Sequence, residues 1–149
     1  MNKTAIAVVV IIVIIGAYFS LTGKNKSVAE PVPSSPQSWG AIVDDQGGIT
    51  VTVTSLDINL SPQATEWKFN VILDTHTVEL DQDLTTVAVL VDDNGQEYQP
   101  LRWEGAPPGG HHREGTLVFD SIIPSPQHLK LIIRNIGTVE RTFAWTLIN

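Results

Sequence analysis

Three of the four histidines in this chain fall in two short stretches, LDTHTVELD and WEGAPPGGHHREG. In the first, Asp74 and His76 are separated by one residue. On a strand such a pair shares one face with its side chains about 7 Å apart, a spacing suited to two ligands of one ion or to a carboxylate orienting an imidazole. In the second, Gly109 and Gly110 precede His111 and His112. Glycines accept backbone dihedrals closed to other residues, so a loop here can bring adjacent histidines together that a strand would point apart. The chain has no cysteine and a single methionine, Met1. Thiolate and thioether sites are thereby excluded, and imidazole with carboxylate suits Cu²⁺ or Zn²⁺, with Ni²⁺ a further possibility. The candidate metal ligands are Asp74, His76, His111 and His112. Such a site requires the His76 imidazole and one loop imidazole within about 4–5 Å of each other.

Two other readings of the same stretches stay open. In one, the polar groups are structural, with Asp74 and His76 bonding backbone at a strand end and His112 or Arg113 packing across Trp103. In the other, the loop is a contact surface for a protein partner, presented by Trp103, Glu104 and Arg113. An indole beside polar groups is a frequent anchor in such surfaces. Trp103 also suits a plug at one end of a sandwich. Catalysis is not expected: there is no Gly-x-Ser-x-Gly, no His-Glu-x-x-His and no phosphate-binding glycine loop. Asp92-Asp93-Asn94-Gly95 has the glycine too early for a calcium loop, and it reads as a hairpin turn. The acidic ELDQD run is a vaguer calcium candidate.

The elements that must position these groups are strands. Ile49, Val51 and Val53 alternate with threonines, and Trp67, Phe69, Val71 and Leu73 alternate with polar residues. TTVAVLVDD, with Val87, Val89 and Val91 in phase, QEYQPLRW, GTLVFDSI, HLKLIIRNI and TVERTFAWTLI continue the pattern. Period-two alternation rich in β-branched and aromatic residues marks half-buried strands. Asn135-Ile136-Gly137-Thr138 reads as a second short turn, and VELDQDLTT offers at most one helical turn. The expectation is an all-β fold: an Ig-like antiparallel two-sheet sandwich of about seven strands, with Trp67 and Trp145 in its core.

This domain, residues 39–149, follows three other segments. Residues 1–3 form a short cytoplasmic N-terminus, 4–23 an uncharged apolar run, and 24–38 a Pro- and Ser-rich tether. Twenty helical residues span about 30 Å, the thickness of a bilayer core. The run is read as a transmembrane signal-anchor helix that leaves the C-terminal domain outside the cytoplasm, single-pass in the cell membrane. The competing reading is a signal peptide cleaved near Ser27-Val28-Ala29. From residue 38 onward, six Lys and Arg face fifteen Asp and Glu, a net charge of −9. A phosphate backbone repels such a domain, which excludes nucleic acid as a partner.

With its strand pattern and the motifs LDTHTVELD and LRWEGAPPGGHHREGTLVF, the chain resembles small membrane-anchored, extracytoplasmic Ig-like domains of uncharacterised prokaryotic proteins. A looser likeness is to periplasmic copper-binding β-sandwich proteins, whose Asp-x-His pair matches Asp74 and His76 here. The first resemblance implies the fold and the location, and the second implies copper ligation by those two residues. The expected function is binding, not catalysis: either a divalent transition metal, or a protein partner in an interaction or envelope-assembly module.

Overall fold

The computed structural model describes residues 39–147. The apolar run at 4–23 and the tether at 24–38 lie outside them. Among the described residues no helix is long and apolar enough to cross a membrane.

Those residues form nine strands: β1 (Ile42–Gln46), β2 (Ile49–Asp57), β3 (Glu66–Thr75), β4 (Ala88–Val91), β5 (Glu97–Tyr98), β6 (Arg102–Gly105), β7 (His112–Asp120), β8 (His128–Ile136) and β9 (Val139–Thr146). A single helical turn, α1 (Leu84–Val87), precedes β4 and is capped by Asp83, whose Oδ1 accepts from the Thr85 amide at 2.9 Å. One sheet has the order β1-β2-β3-β7-β6 and the other β5-β4-β8-β9. Every strand pairing is antiparallel.

The two sheets bury one shared core. Val51, Val53, Trp67, Phe69, Val71, Leu73, Leu117 and Phe119 come from the five-stranded sheet, and Leu90, Leu129, Leu131, Phe143 and Trp145 from the four-stranded one. Phe69 meets Trp145 across the layers with ring centroids 5.3 Å apart, and Phe119 edge-on at 5.8 Å. The alternation seen in the sequence is therefore the alternation between core and surface, and both expected core tryptophans are buried.

Three details depart from the sequence expectation. The half-exposed strand β1, with its two aspartates, carries too weak an apolar signal to be read. QEYQPLRW is two strands in different sheets, because the chain switches layers at Pro100, which has no amide to give to a ladder. In TTVAVLVDD the residues in the shared core are Ala88 and Leu90, while Val87 and Val91 are half-buried. The α1 turn consumes residues 84–87 and resets the phase.

Hairpins fix the registers. Gly47 and Gly48, both at positive φ, join β1 to β2 with Gln46 opposite Ile49. Gly137 and Thr138, at φ 64° and 61°, join β8 to β9 with Ile136 opposite Val139. Positive φ at both central residues is the geometry whose twist matches that of the flanking strands. The Asp92–Gly95 turn joins β4 to β5 as read, with Asp92 Oδ1 accepting from the Asn94 and Gln96 amides.

Candidate functional site

In both β7 and β9 the first fully buried residue is an arginine. Arg113 shares its phase with Leu117 and Phe119, and Arg141 shares its phase with Phe143 and Trp145. Both are essentially without solvent exposure, at 1% and 0%. They lie at one end of the sandwich. There the β1–β2 turn meets the β8–β9 turn, and residues 76–83 meet the loop that leads into β7.

Arg141 Nη1 donates to the Ile136 carbonyl at 2.5 Å, and Nη2 donates to Gln46 O at 2.7 Å and Ile49 O at 3.3 Å. Its Nε lies 3.1 Å from Asp44 Oδ1, close enough for an ion pair without hydrogen-bond alignment. Arg141 thus fastens the edge strand of one sheet to the first hairpin of the other. Arg113 has no carboxylate against it. Its Nη1 donates to Leu80 O at 3.1 Å and Gln82 O at 2.7 Å, and its Nη2 donates to Ala106 O at 3.4 Å. Burial pulls its pKa below the ordinary guanidinium value, and the charges of Asp83 and Asp81 oppose that shift. The two loops it joins also bond directly, Gly109 N to Leu80 O at 2.7 Å and Leu80 N to Gly110 O at 2.9 Å.

Trp103 completes this structure. Its ring lies 5.8 Å from the Arg113 guanidinium carbon, and its Nε1 donates to Ala106 O at 2.8 Å. It covers Gly105 and Gly115, which face each other across β6 and β7. A Cβ on Gly115 would sit 2.6 Å from Trp103 Cζ2 and 2.5 Å from Gly105 Cα, so the close approach demands glycine at that position.

These contacts correct part of the sequence expectation. Arg113 is not displayed to a partner, because its guanidinium is spent on three loop carbonyls. Trp103 is half-buried against the core, its N–H already engaged. Glu104 is exposed and accepts from Arg102 Nε at 2.6 Å. Arg102 also donates to both oxygens of Glu66, at 2.7 and 3.1 Å, and these acids raise its pKa.

Of the four candidate metal ligands, the fold brings two into contact. Asp74 and His112 are opposite residues of β3 and β7, and Asp74 Oδ1 lies 2.5 Å from His112 Nδ1. Both side chains are more than half exposed. Nδ1 faces the carboxylate, so Nε2 is the ring nitrogen left to face solvent. The same hydrogen bond, followed by the carboxylate charge, raises the His112 pKa above its ordinary value. His76 lies just past β3 and His111 just before β7; both are exposed, and the His111 carbonyl accepts from the Thr75 amide at 2.9 Å. Among the described residues no three His, Cys, Asp or Glu side chains gather closely enough to hold a metal ion. Asp74 and His112 are therefore a pair, in which the carboxylate orients the ring, and not half of an assembled four-ligand set.

Around that pair the exposed charge is negative. Asp45, Asp74, Glu79, Asp81, Asp83 and Glu114 are all exposed at this end or on the adjoining sheet face. Of the six Lys and Arg among the described residues, Arg113 and Arg141 are buried at this end, Arg102 and Lys68 pair with Glu66, Arg134 pairs with Glu97 and Glu140, and Lys130 is exposed on the four-stranded sheet. The chain enters the described domain at the other end, where the Trp39 amide donates to Ser55 Oγ at 2.7 Å.

No family model, no curated protein and no solved structure matches this chain.

Proposed function

We propose that this is a non-catalytic binding module: an Ig-like sandwich displayed outside the cytoplasmic membrane on its N-terminal apolar segment, whose acidic end receives a basic segment of a protein partner. The observation that carries this reading is the distribution of charge. Of the six Lys and Arg of the described residues, two are buried, three are paired and Lys130 lies on the outer face of the four-stranded sheet. The carboxylates exposed at this end and its adjoining face are therefore offset only in part, by His112 at Asp74 and by buried Arg113 near Asp81 and Asp83. Complementary charge across an interface steers encounter and rejects wrong partners. The end is also firm. Two buried arginines hold its loops to the sheets, and ordered loops bind without a large ordering cost.

The test is titration of a labelled oligolysine peptide with residues 33–149, followed by fluorescence anisotropy at low and at physiological salt. Binding should weaken as salt rises. It should fall further in Asp45→Asn/Glu79→Gln/Asp81→Asn than in Asp57→Asn/Asp120→Asn at the opposite end. Equal losses in the two variants would overturn the assignment.

The Asp74–His112 pair favours a second reading, a divalent metal taken by His112 Nε2 with His76 or His111 moving to join it. A carboxylate on the far nitrogen is the usual support for a metal-bound imidazole. A metal at 100 times its dissociation constant would add about 2.7 kcal/mol of stability. Thermal unfolding with and without Zn²⁺ and Cu²⁺ therefore separates the readings. A rise of several degrees that His112→Ala abolishes supports the metal, and no rise leaves the basic partner.

A further inference from the structure

At the end of the sandwich opposite the acidic loops, the outer face of the four-stranded sheet is hollowed. The concavity has a volume of about 430 Å³ and is lined by Asp93, His128, Lys130, Ala144 and Thr146, with Val91 and Asp92 at its margin. Strand register explains both its shape and its chemistry. Lys130 on β8 stands between Val91 on β4 and Ala144 on β9, and His128 stands opposite Thr146. Ala144 reaches only one carbon above the sheet, so the floor is low between longer neighbours. His128 and Lys130, two residues apart on one strand, project from the same face.

Three facts about these groups point the same way. Lys130 is exposed and, among the described residues, is the one exposed lysine or arginine without an ion pair. His128 is held in place: its Nδ1 lies 2.9 Å from Asp93 Oδ1, leaving Nε2 as the unengaged nitrogen. Asp93 is itself locked, accepting from the Gln127 amide at 2.6 Å and the His128 amide at 2.9 Å. Its charge is therefore spent largely on the backbone of its own wall. A cation, an imidazole oriented with Nε2 free to accept, and the Thr146 hydroxyl line one concavity in a domain of net negative charge.

We propose that this hollow is a binding site for a small, singly charged, hydroxyl-bearing carboxylate, the class to which sugar acids belong. Lys130 receives the carboxylate, while His128 Nε2, its Nδ1–H turned to Asp93, accepts from a hydroxyl group, and Thr146 and the remaining lone pair of Asp93 meet further hydroxyls. A single negative charge suits the site better than a phosphate dianion, because Asp92 and Asp93 border it and the domain as a whole is acidic. The volume lies within the range of small-molecule sites. The assignment stands independently of the acidic end and its partner.

The experiment uses the full chain in detergent micelles with ¹³C-labelled histidine, titrated with D-glucuronate and, in parallel, with D-glucose and inorganic phosphate. Glucuronate should shift the His128 ring resonances saturably in the millimolar range and leave those of His112 in place. Glucose and phosphate should not shift them. Lys130→Ala should weaken the binding about tenfold or more, the loss expected of one charge-assisted hydrogen bond, and Lys130→Arg should retain it. Lys130 is exposed, so neither variant threatens the fold, and unchanged His112 resonances check this. Equal response to glucose, stronger response to phosphate, an unaltered titration in Lys130→Ala, or no saturable shift with glucuronate would each overturn the proposal.

Discussion

His112 holds its proton to higher pH than an unattached histidine, because Asp74 both accepts its Nδ1–H and lies against it as an opposite charge. The direction of the shift sets the sign of its effect on stability. A folded-state pKa raised above the unfolded value means that the folded state binds the proton more tightly. The pair's contribution is therefore complete below the ordinary imidazole value near 6.5. It disappears as pH rises through the higher folded value. Because both side chains are largely in solvent, the contribution is small, and the titration itself is the better observable. Followed by ¹H–¹³C correlation spectra, the His112 midpoint should lie above 6.5. Asp74→Asn should bring it down toward that value. An unmoved midpoint in the variant would mean that the two groups do not interact in solution. No sequence pattern joins these residues, which are 38 apart. Asp74 with His76 was the legible pair, and only the register of β3 against β7 puts Asp74 with His112 instead.

At the scale of elements, the strands were legible where one face is buried and the other is wet, as in β2 and β3. They were illegible where that contrast fails: in the half-exposed β1, at the layer switch around Pro100, and after α1. The buried arginines teach a different lesson. Arg113 continues the inward phase of Phe119 and Leu117, and Arg141 that of Trp145 and Phe143, so alternation alone places both inside. The habit of assigning charge to the surface hides them. A guanidinium can lie there because strand ends leave carbonyls without ladder partners, and its planar fork reaches several at once. Arg113→Ala would leave the carbonyls of Leu80, Gln82 and Ala106 without that donor. A loss of about 1–3 kcal/mol in chemical denaturation is expected. Because Arg113 joins two loops, the effect should also be local. Amide exchange at Leu80 and Gly109, whose N–H groups bond across the same loops, should accelerate more than exchange in β8. Arg113→Lys should rescue little, since one ammonium cannot span the same carbonyls. Uniform acceleration across both sheets would show that Arg113 supports the whole core and not the junction of the loops.

Over the whole molecule, the two ends of the sandwich differ in what they do with charge. One end buries two cations and exposes carboxylates. The other keeps Lys130 in the open and ties Asp92 and Asp93 to backbone amides, which lower the pKa of both. Like charges crowded at one end repel each other and oppose the compact state, a cost that salt screens. Asp81 and Asp83 are partial exceptions, since they lie close enough to Arg113 to favour its charge. The repulsion is therefore better relieved at Asp45 and Glu79. Asp45→Asn/Glu79→Gln should raise the thermal midpoint by about 1–3 °C at low ionic strength, the size expected of a few tenths of a kcal/mol in a domain of this length. In about 1 M salt, where the screening length falls to roughly 3 Å, the gain should vanish. A surface that costs stability when nothing is bound is one whose charge is kept for a purpose other than folding. The same double variant should therefore gain stability and lose the oligolysine peptide together. Stability gained with binding intact would leave the acidic end without a function, and a loss of both would mean that these carboxylates belong to the fold.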